Sequence, residues 1–338
     1  MGKSILILLL LSMLNNHNKK KPVMEKYEWL ATTCASFKYP MQIVKGNFLL
    51  QDDDTLKIQG GSMLYNGWGS LGSIYILGDK LKSLPKAINL TWFSITEDKF
   101  FSCTADLPVD KIKTLFSQTF TSPITSKPAV FRNIIVGLAP NGTIVLWVSG
   151  DKVTKEVCIL KALEDKDIKW NDYISNPDYP RKKYLKLKLE DVFAEKDLLA
   201  LAKNGVDTEL YSNKYRQHYY WQPFVACSIK PLTALLYYYN GETEYSPVND
   251  LAQKEERPVP SKLKIAWLNS KNNKFSAEII FDEAEAFSSF EKFSGIGDGN
   301  NVKMQIEITD SSPSVSVFLR NDTHVYPYKN CKIQVFQN

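Results

Sequence analysis

The sequence predicts an α+β fold made of two tandem related ββαββ units, with antiparallel sheets each packed by one helix. Three observations predict it. Leu84 to Asp106, LPKAINLTWFSITEDKFFSCTAD, returns as Val259 to Asp282, with Pro85, Trp92, Lys99 and Phe100 matched to Pro260, Trp267, Lys274 and Phe275, always 175 positions apart. In each copy two alternating runs flank a polar turn, the pattern of a hairpin with one buried face (Ile88, Leu90 and Trp92; Leu263, Ile265 and Trp267). An amphipathic helix follows each hairpin, and Trp29 to Pro40 is echoed by Trp221 to Pro231.

In order, the body opens with strands at Tyr27 to Cys34 and Tyr39 to Leu50 and a turn at Asp52 to Asp54. A glycine-rich stretch follows, Gly60-Gly61 and then Gly67 to Gly72, and then a short strand, Ser73 to Leu77. The first hairpin leads to a helix from Pro108 to about Gln118, proline suiting the first helical position because its missing N–H has no partner there anyway. Strands follow at Asn133 to Leu138 and Thr143 to Val148, then Lys155 to Leu163. Tyr184 to Leu189 alternates leucine and lysine, as an edge strand protected from pairing would. Glu190 to Asn204 reads as a helix closed by Gly205. In the second copy Leu232 to Tyr239 is a strand. Asp282 and Glu285 have capping-box spacing before a Phe287, Phe290, Phe293 stripe, and strands are expected near Val302 to Ile308, Ser314 to Leu319 and Lys332 to Phe336. The expected divisions are 1–21, a signal segment; 22–163, the first unit; 164–205, a connection with edge strand and helix; and 206–338, the second unit. Only the first copy has the glycine-rich insert.

Composition is that of an ordinary globular chain, 44% hydrophobic and 23% charged over 338 residues. The formal charge of +5 falls to +1 without Lys3, Lys19, Lys20 and Lys21, so a nucleic-acid partner is not expected. Ile5 to Leu14 is too short an apolar run to span a bilayer and fits a signal-peptide core, although no A-x-A-like site follows it. No cysteine stands near Asn15 to His17 to carry a lipid, so membrane association is expected only through this N-terminal segment.

Chemistry-bearing sets are few. The five cysteines contain no C-x-x-C, and an odd count leaves at least one free thiol unless a second chain joins. Outside the leader only His218 and His324 remain, too few for a multi-histidine zinc site, and no G-x-S-x-G elbow exists. Gly67 to Gly72 satisfies G-x-G-x-x-G, but a strand and not a helix is expected after it, so it reads as a loop rather than a dinucleotide site. No metal, cofactor or catalytic residue is assigned. The densest stretch is Tyr211 to Phe224, YSNKYRQHYYWQPF. Tyr215, Arg216, His218, Tyr219 and Trp221 there, with Trp68 of the insert, are the binding candidates, because aromatic and arginine side chains dominate binding hot spots. The alternative is that these rings seal the two units together, with Arg216 paired to a carboxylate.

The ordered segments WLATTCASFKYPMQIVKGNF, NGWGSLGS, LPKAINLTWFSITEDKFFSCTADLP, VGLAPNGTIVLWVSG and YRQHYYWQP resemble the domain-of-unknown-function family 2931 over most of Trp29 to Pro223. That family consists of bacterial envelope proteins, many described as lipoproteins. The resemblance implies an exported, periplasmic or envelope-associated protein and supplies no catalytic residues. A non-enzymatic module that binds another protein is therefore expected, an immunity-type role against a secreted antibacterial effector being one version. A glycan hydrolase of the envelope and a ligand-binding sensor or scaffold are the alternatives.

Overall fold

The computed structural model describes residues 24–74, 76–176, 178–226, 230–247, 253–294, 301–309 and 314–337, so the expected signal segment and Cys227 lie outside the described residues. The chain opens with β1 (Tyr27–Glu28), β2 (Leu30–Ala35), β3 (Met41–Leu50), β4 (Thr55–Lys57), β5 (Met63–Leu64) and β6 (Leu81–Lys82). The first hairpin is β7 (Pro85–Ser94) and β8 (Lys99–Asp106), followed by helix α1 (Val109–Ser117). Then come β9 (Thr119–Thr121), β10 (Pro128–Val130), β11 (Asn133–Ala139), β12 (Thr143–Gly150), β13 (Val153–Lys161) and β14 (Leu163–Glu164). Helices α2 (Trp170–Tyr173), α3 (Arg181–Glu190) and α4 (Glu195–Asn204) lead to a 3-10 turn at Lys214–Arg216. The rest is β15 (His218–Ala226), β16 (Lys230–Tyr238), β17 (Thr243–Pro247), β18 (Glu255–Pro258), β19 (Pro260–Leu268), β20 (Lys274–Ile280), helix α5 (Glu283–Ser294), β21 (Val302–Thr309), β22 (Ser314–Arg320), β23 (Val325–Pro327) and β24 (Lys332–Gln337).

The fold is mixed α+β, mostly sheet. Three larger sheets run β2-β11-β12-β13-β17-β16-β19-β20-β24, β14-β8-β7-β3-β4 and β18-β15-β21-β22-β23. Pairing is antiparallel except for β2 with β11 and β15 with β21, which are parallel. A parallel pair needs a long crossover, and here the crossover carries a hairpin and a helix in each half. Strand order is the same in the two halves: β2-β11-β12-β13 matches β15-β21-β22-β23, and β4-β3-β7-β8-β14 matches β17-β16-β19-β20-β24. The expectation of separate sheets for each half does not hold. The nine-stranded sheet crosses from one half to the other where Thr154 of β13 meets Thr243 of β17.

Period-two alternation decides which core each side chain enters. Ile88, Leu90 and Trp92 of β7 join Ile134, Val136, Leu138, Ile144, Leu146 and Val148 of β11 and β12 in the main core, which also takes Leu263, Ile265 and Trp267. The opposite faces carry smaller clusters. Cys34, Ile135, Val145 and Trp147 lie under Trp68, and Phe93, Ile95 and Phe100 lie under Trp170, Tyr173 and Tyr184. Helix α1 buries Ile112 and Phe116, one turn apart, and has Pro108 at its N-cap, one position before the one expected. Helix α5 begins as the capping spacing predicts, Asp282 Oδ1 accepting the Glu285 N–H at 2.9 Å. The buried Glu285 carboxylate instead accepts the N–H groups of Lys329 and Asn330, at 2.8 and 2.9 Å, and so anchors the approach to β24.

Three expectations are corrected. Tyr184 to Leu189 is not an edge strand but lies within α3. Leu185 and Leu189 are four apart as well as part of an alternation, and lysine and leucine favour helix. With Tyr184 they pack on the outer face of β7 and β8. Residues 164–205 therefore do more than connect: the Arg181 guanidinium lies over the rings of Phe93, Phe100 and Trp170 and bonds Asp98 Oδ1 at 2.5 Å. Ser73, Ile74, Ile76 and Leu77 are in no strand. Finally, Phe100 faces outward, and Phe101 is the residue opposite Trp92. Phe275, opposite Trp267, corresponds to Phe101 and not to Phe100, because the loop between the paired residues is 95–98 in one hairpin and 269–273 in the other.

Candidate functional site

The residues singled out between Tyr211 and Phe224 divide by exposure. Tyr215 is buried, its hydroxyl donating to Glu283 Oε2 at 2.8 Å and its ring stacked on Phe287 at 5.8 Å. Burial pushes its phenol far above the ordinary tyrosine range. Arg216 binds Glu156 of β13 through both terminal nitrogens, at 2.5 Å each. Trp221 is fully buried, and its Nε1 donates to the Pro258 carbonyl at 3.3 Å. Tyr219 is half-buried against Phe290, 5.3 Å away. His218 is exposed, its Nδ1 2.7 Å from the Arg216 carbonyl. Trp68 packs edge-on to Trp147 at 4.8 Å and to Tyr211 at 4.6 Å. Trp68, Tyr211 and Tyr215 thus form one aromatic chain, while Tyr219 and Trp221 pack separately on α5.

Trp68 reaches that chain because the insert is held along the free edge of β2. Gly67 N–H donates to the Ala35 carbonyl at 3.0 Å, Gly72 N–H to Thr32 Oγ1 at 3.1 Å, and Thr32 Oγ1 to the Ser73 carbonyl at 3.1 Å. The first of these bonds satisfies a backbone group of that edge, and the other two run through the Thr32 hydroxyl. Gly69, at φ +69°, lies against Gly241, at φ +91°, so closely that a Cβ on Gly69 would stand 2.3 Å from the Gly241 carbonyl oxygen. Two left-handed glycines back to back therefore fasten the insert to the β16–β17 turn. Outward, the same segment leaves Tyr65, Leu71, Ile74 and Ile76 exposed, Ile76 to 84%.

Beneath the insert lies a cavity of about 110 Å³ between β2, β4 and residues 60–64, with Lys82 in its wall. Lys82 is 5% exposed; its Nζ donates to the Trp29 carbonyl at 2.8 Å and lies 5.4 Å from the Trp29 ring centre. Burial draws this ammonium below the usual lysine pKa. Arg257 stands 175 positions on, 3% exposed, donating to the Trp221 carbonyl at 3.1 Å. The two indoles behave alike, Trp29 Nε1 donating to the Ser83 carbonyl at 3.2 Å. The sequence reading missed both cations, although its own 175-residue offset relates them.

An acidic groove and three thiols are engaged or shielded locally. Asp98, Glu164 and Asp165 share a groove, but Asp98 is held by Arg181, Glu164 by Lys99 at 3.2 Å, and Asp165 accepts the Ser102 hydroxyl at 2.6 Å. Burial raises the thiols of Cys34 and Cys331 to about 12 and that of Cys158 to about 11, which suppresses the nucleophilic thiolate. Among the described residues no group of three or more His, Cys, Asp or Glu could hold a metal ion, and no helix is long and apolar enough to cross a membrane.

The family described as a protein of unknown function, DUF2931, matches residues 16–200, more than half of the chain. The chain belongs to the DUF2931 family. The matched stretch takes in the insert, the cavity with Lys82, the first hairpin and most of the helical connection, and stops before β15. No curated protein and no solved structure matches this DUF2931 chain.

Proposed function

We propose that this DUF2931 protein is an exported, envelope-associated, non-enzymatic binding module, built from two copies of one unit, whose first copy offers its glycine-rich insert to a protein partner. The observation that carries this reading is the insert itself. It is seated firmly by the Gly69–Gly241 contact and by Trp68, yet turns Tyr65, Leu71, Ile74 and Ile76 to solvent. Exposed apolar side chains gathered on one segment mark a contact surface. The duplication is supported by the shared strand order, the paired indole bonds of Trp29 and Trp221, and the stacked pairs Trp92–Phe101 and Trp267–Phe275. The second copy has only residues 248–254 where the first has 58–80, so one copy elaborated what the other left short. Export is supported by the apolar run Ile5 to Leu14.

The test is capture from envelope extract by the full chain, with a photo-crosslinker placed at position 76. Wild type should crosslink one protein reproducibly, and a Leu71→Asp, Ile74→Asp pair should abolish the crosslink without lowering the melting temperature. Equal crosslinking by that variant, or turnover of an envelope glycan by the purified chain, would overturn the reading.

A further inference from the structure

Lys82 and Arg257 occupy matching places. Each pairs across a two-strand ladder with a tyrosine, Tyr27 or Tyr219, and each donates to the carbonyl of the tryptophan two positions beyond it. Their counter-charges do not match. Arg257 meets Glu244 at 3.2 and 3.3 Å, and Tyr238 donates to the same carboxylate at 2.6 Å. In the sheet, Glu244 lies across from Leu236, which lies across from Leu263, and Tyr238 lies across from Pro260. The same ladder in the first half reads Leu56, Phe48, Ile88, and Leu50 across from Pro85. Leucines therefore stand where the second half has its carboxylate and its phenol, while the cation has been kept.

Leu56 and Lys82 are close: each has an atom within 4 Å of the point where a Cβ on Gly78 would lie. Both line the cavity, with Ile58, Met63 and Leu77. Among the described residues Lys82 has no carboxylate within ion-pair distance. Asp79 and Glu28 act on its charge only from beyond that distance and do not offset burial. Taking an ammonium out of water without a paired counter-charge is unfavourable, and a cavity of this size holds more than one water-sized group. An occupant that brings a negative charge to Lys82 and an apolar body to the leucines satisfies both features at once.

We propose that the cavity beneath the insert binds a short aliphatic carboxylate, its charged end meeting Lys82 where the second half places Glu244, and its hydrocarbon chain lying against Leu56, Ile58 and Met63. Binding is non-covalent, and it does not depend on the protein-docking reading of the insert's outer surface. A ligand carboxylate that pairs with Lys82 also raises the proton affinity of an ammonium that burial has lowered and that Asp79 and Glu28 only partly restore, so binding takes up protons as pH rises toward the lysine range.

The experiment is calorimetric titration of the full chain with hexanoate, hexanol and inorganic phosphate. Hexanoate should bind, with proton uptake that grows as pH rises toward the lysine range, and hexanol and phosphate should bind at least tenfold more weakly. Lys82→Met should weaken hexanoate at least tenfold by removing the charge. Leu56→Glu should do the same by restoring the second half's arrangement, with melting temperature read alongside to show that each variant is folded. Failure of the folded wild type to bind hexanoate, undiminished binding to Lys82→Met, or tighter binding of phosphate than of hexanoate would overturn the proposal.

Discussion

Arg216 and Glu156 form a two-pronged ion pair between the halves, each guanidinium terminal nitrogen 2.5 Å from its own carboxylate oxygen. With the side chains 25% and 13% exposed, the pair is partly shielded and geometrically well matched, the arrangement in which charged hydrogen bonds contribute most. Arg216→Met should lower unfolding stability by about 1.5–3 kcal/mol. A double-mutant cycle with Glu156→Gln should show coupling, and additive effects in urea unfolding would contradict it.

Gly69→Ala tests how the insert is fastened. The new methyl would stand 2.3 Å from the Gly241 carbonyl oxygen at a left-handed φ of +69°, so either the turn or the insert must move. A loss of about 1–3 kcal/mol is expected, together with a change in indole fluorescence as Trp68 shifts against Trp147. An unchanged spectrum and melting temperature would show that the contact is loose.

Acid should weaken the second half through Glu244. Burial alone would raise its carboxyl, but hydrogen bonds from Arg257, the Arg257 charge and Tyr238 outweigh it and hold the pKa below the usual 4.5. A carboxyl with a depressed folded-state value adds stability that is complete above about pH 4.5 and is lost as pH falls through the folded value. Glu244→Gln should be about 3 kcal/mol less stable at pH 7 and should have a flatter acid limb. A parallel acid limb in the two proteins would contradict this.

The helical assignment of residues 181–190 is open to direct test. Lys186 is exposed, so Lys186→Pro removes little side-chain contact but breaks the helix interior, costing about 3 kcal/mol. An exposed edge strand would tolerate the same change at less cost.

Much of the fold was legible because half-buried strands announce themselves by alternation, and Ile88, Leu90 and Trp92 do enter one core. The errors came where two periods coincide or where pairing is distant. Leu185-Lys186-Leu187-Lys188-Leu189 fits a period of two as well as the four-residue spacing of a helix, and the apolar patch of Phe93 and Phe100 receives the helix face. Phe275 matches Phe100 in the aligned letters, yet a hairpin loop one residue longer moves it opposite Trp267, as Phe101 stands opposite Trp92 in the first hairpin. The parallel pairing of Leu30 with Asn133 leaves no local trace. Of the candidate site, Trp68 was visible as an aromatic among glycines. Lys82 was not, since a lysine in the charged run Asp79-Lys80-Leu81-Lys82 reads as a surface residue until the Trp29 carbonyl and the cavity are seen around it.

The most direct measurement compares Lys82→Met with Arg257→Met in urea at pH 7. If the second-half cation is locked to Glu244 while its first-half counterpart has no carboxylate paired to it, Arg257→Met should lose about 3–5 kcal/mol by stranding a buried carboxylate, and Lys82→Met should lose less than about 1 kcal/mol or gain stability. Wild-type stability should also rise with pH between the lowered folded pKa of Lys82 and its usual 10.5, a slope that Lys82→Met should remove. Equal losses in the two variants, with that slope retained, would contradict the account.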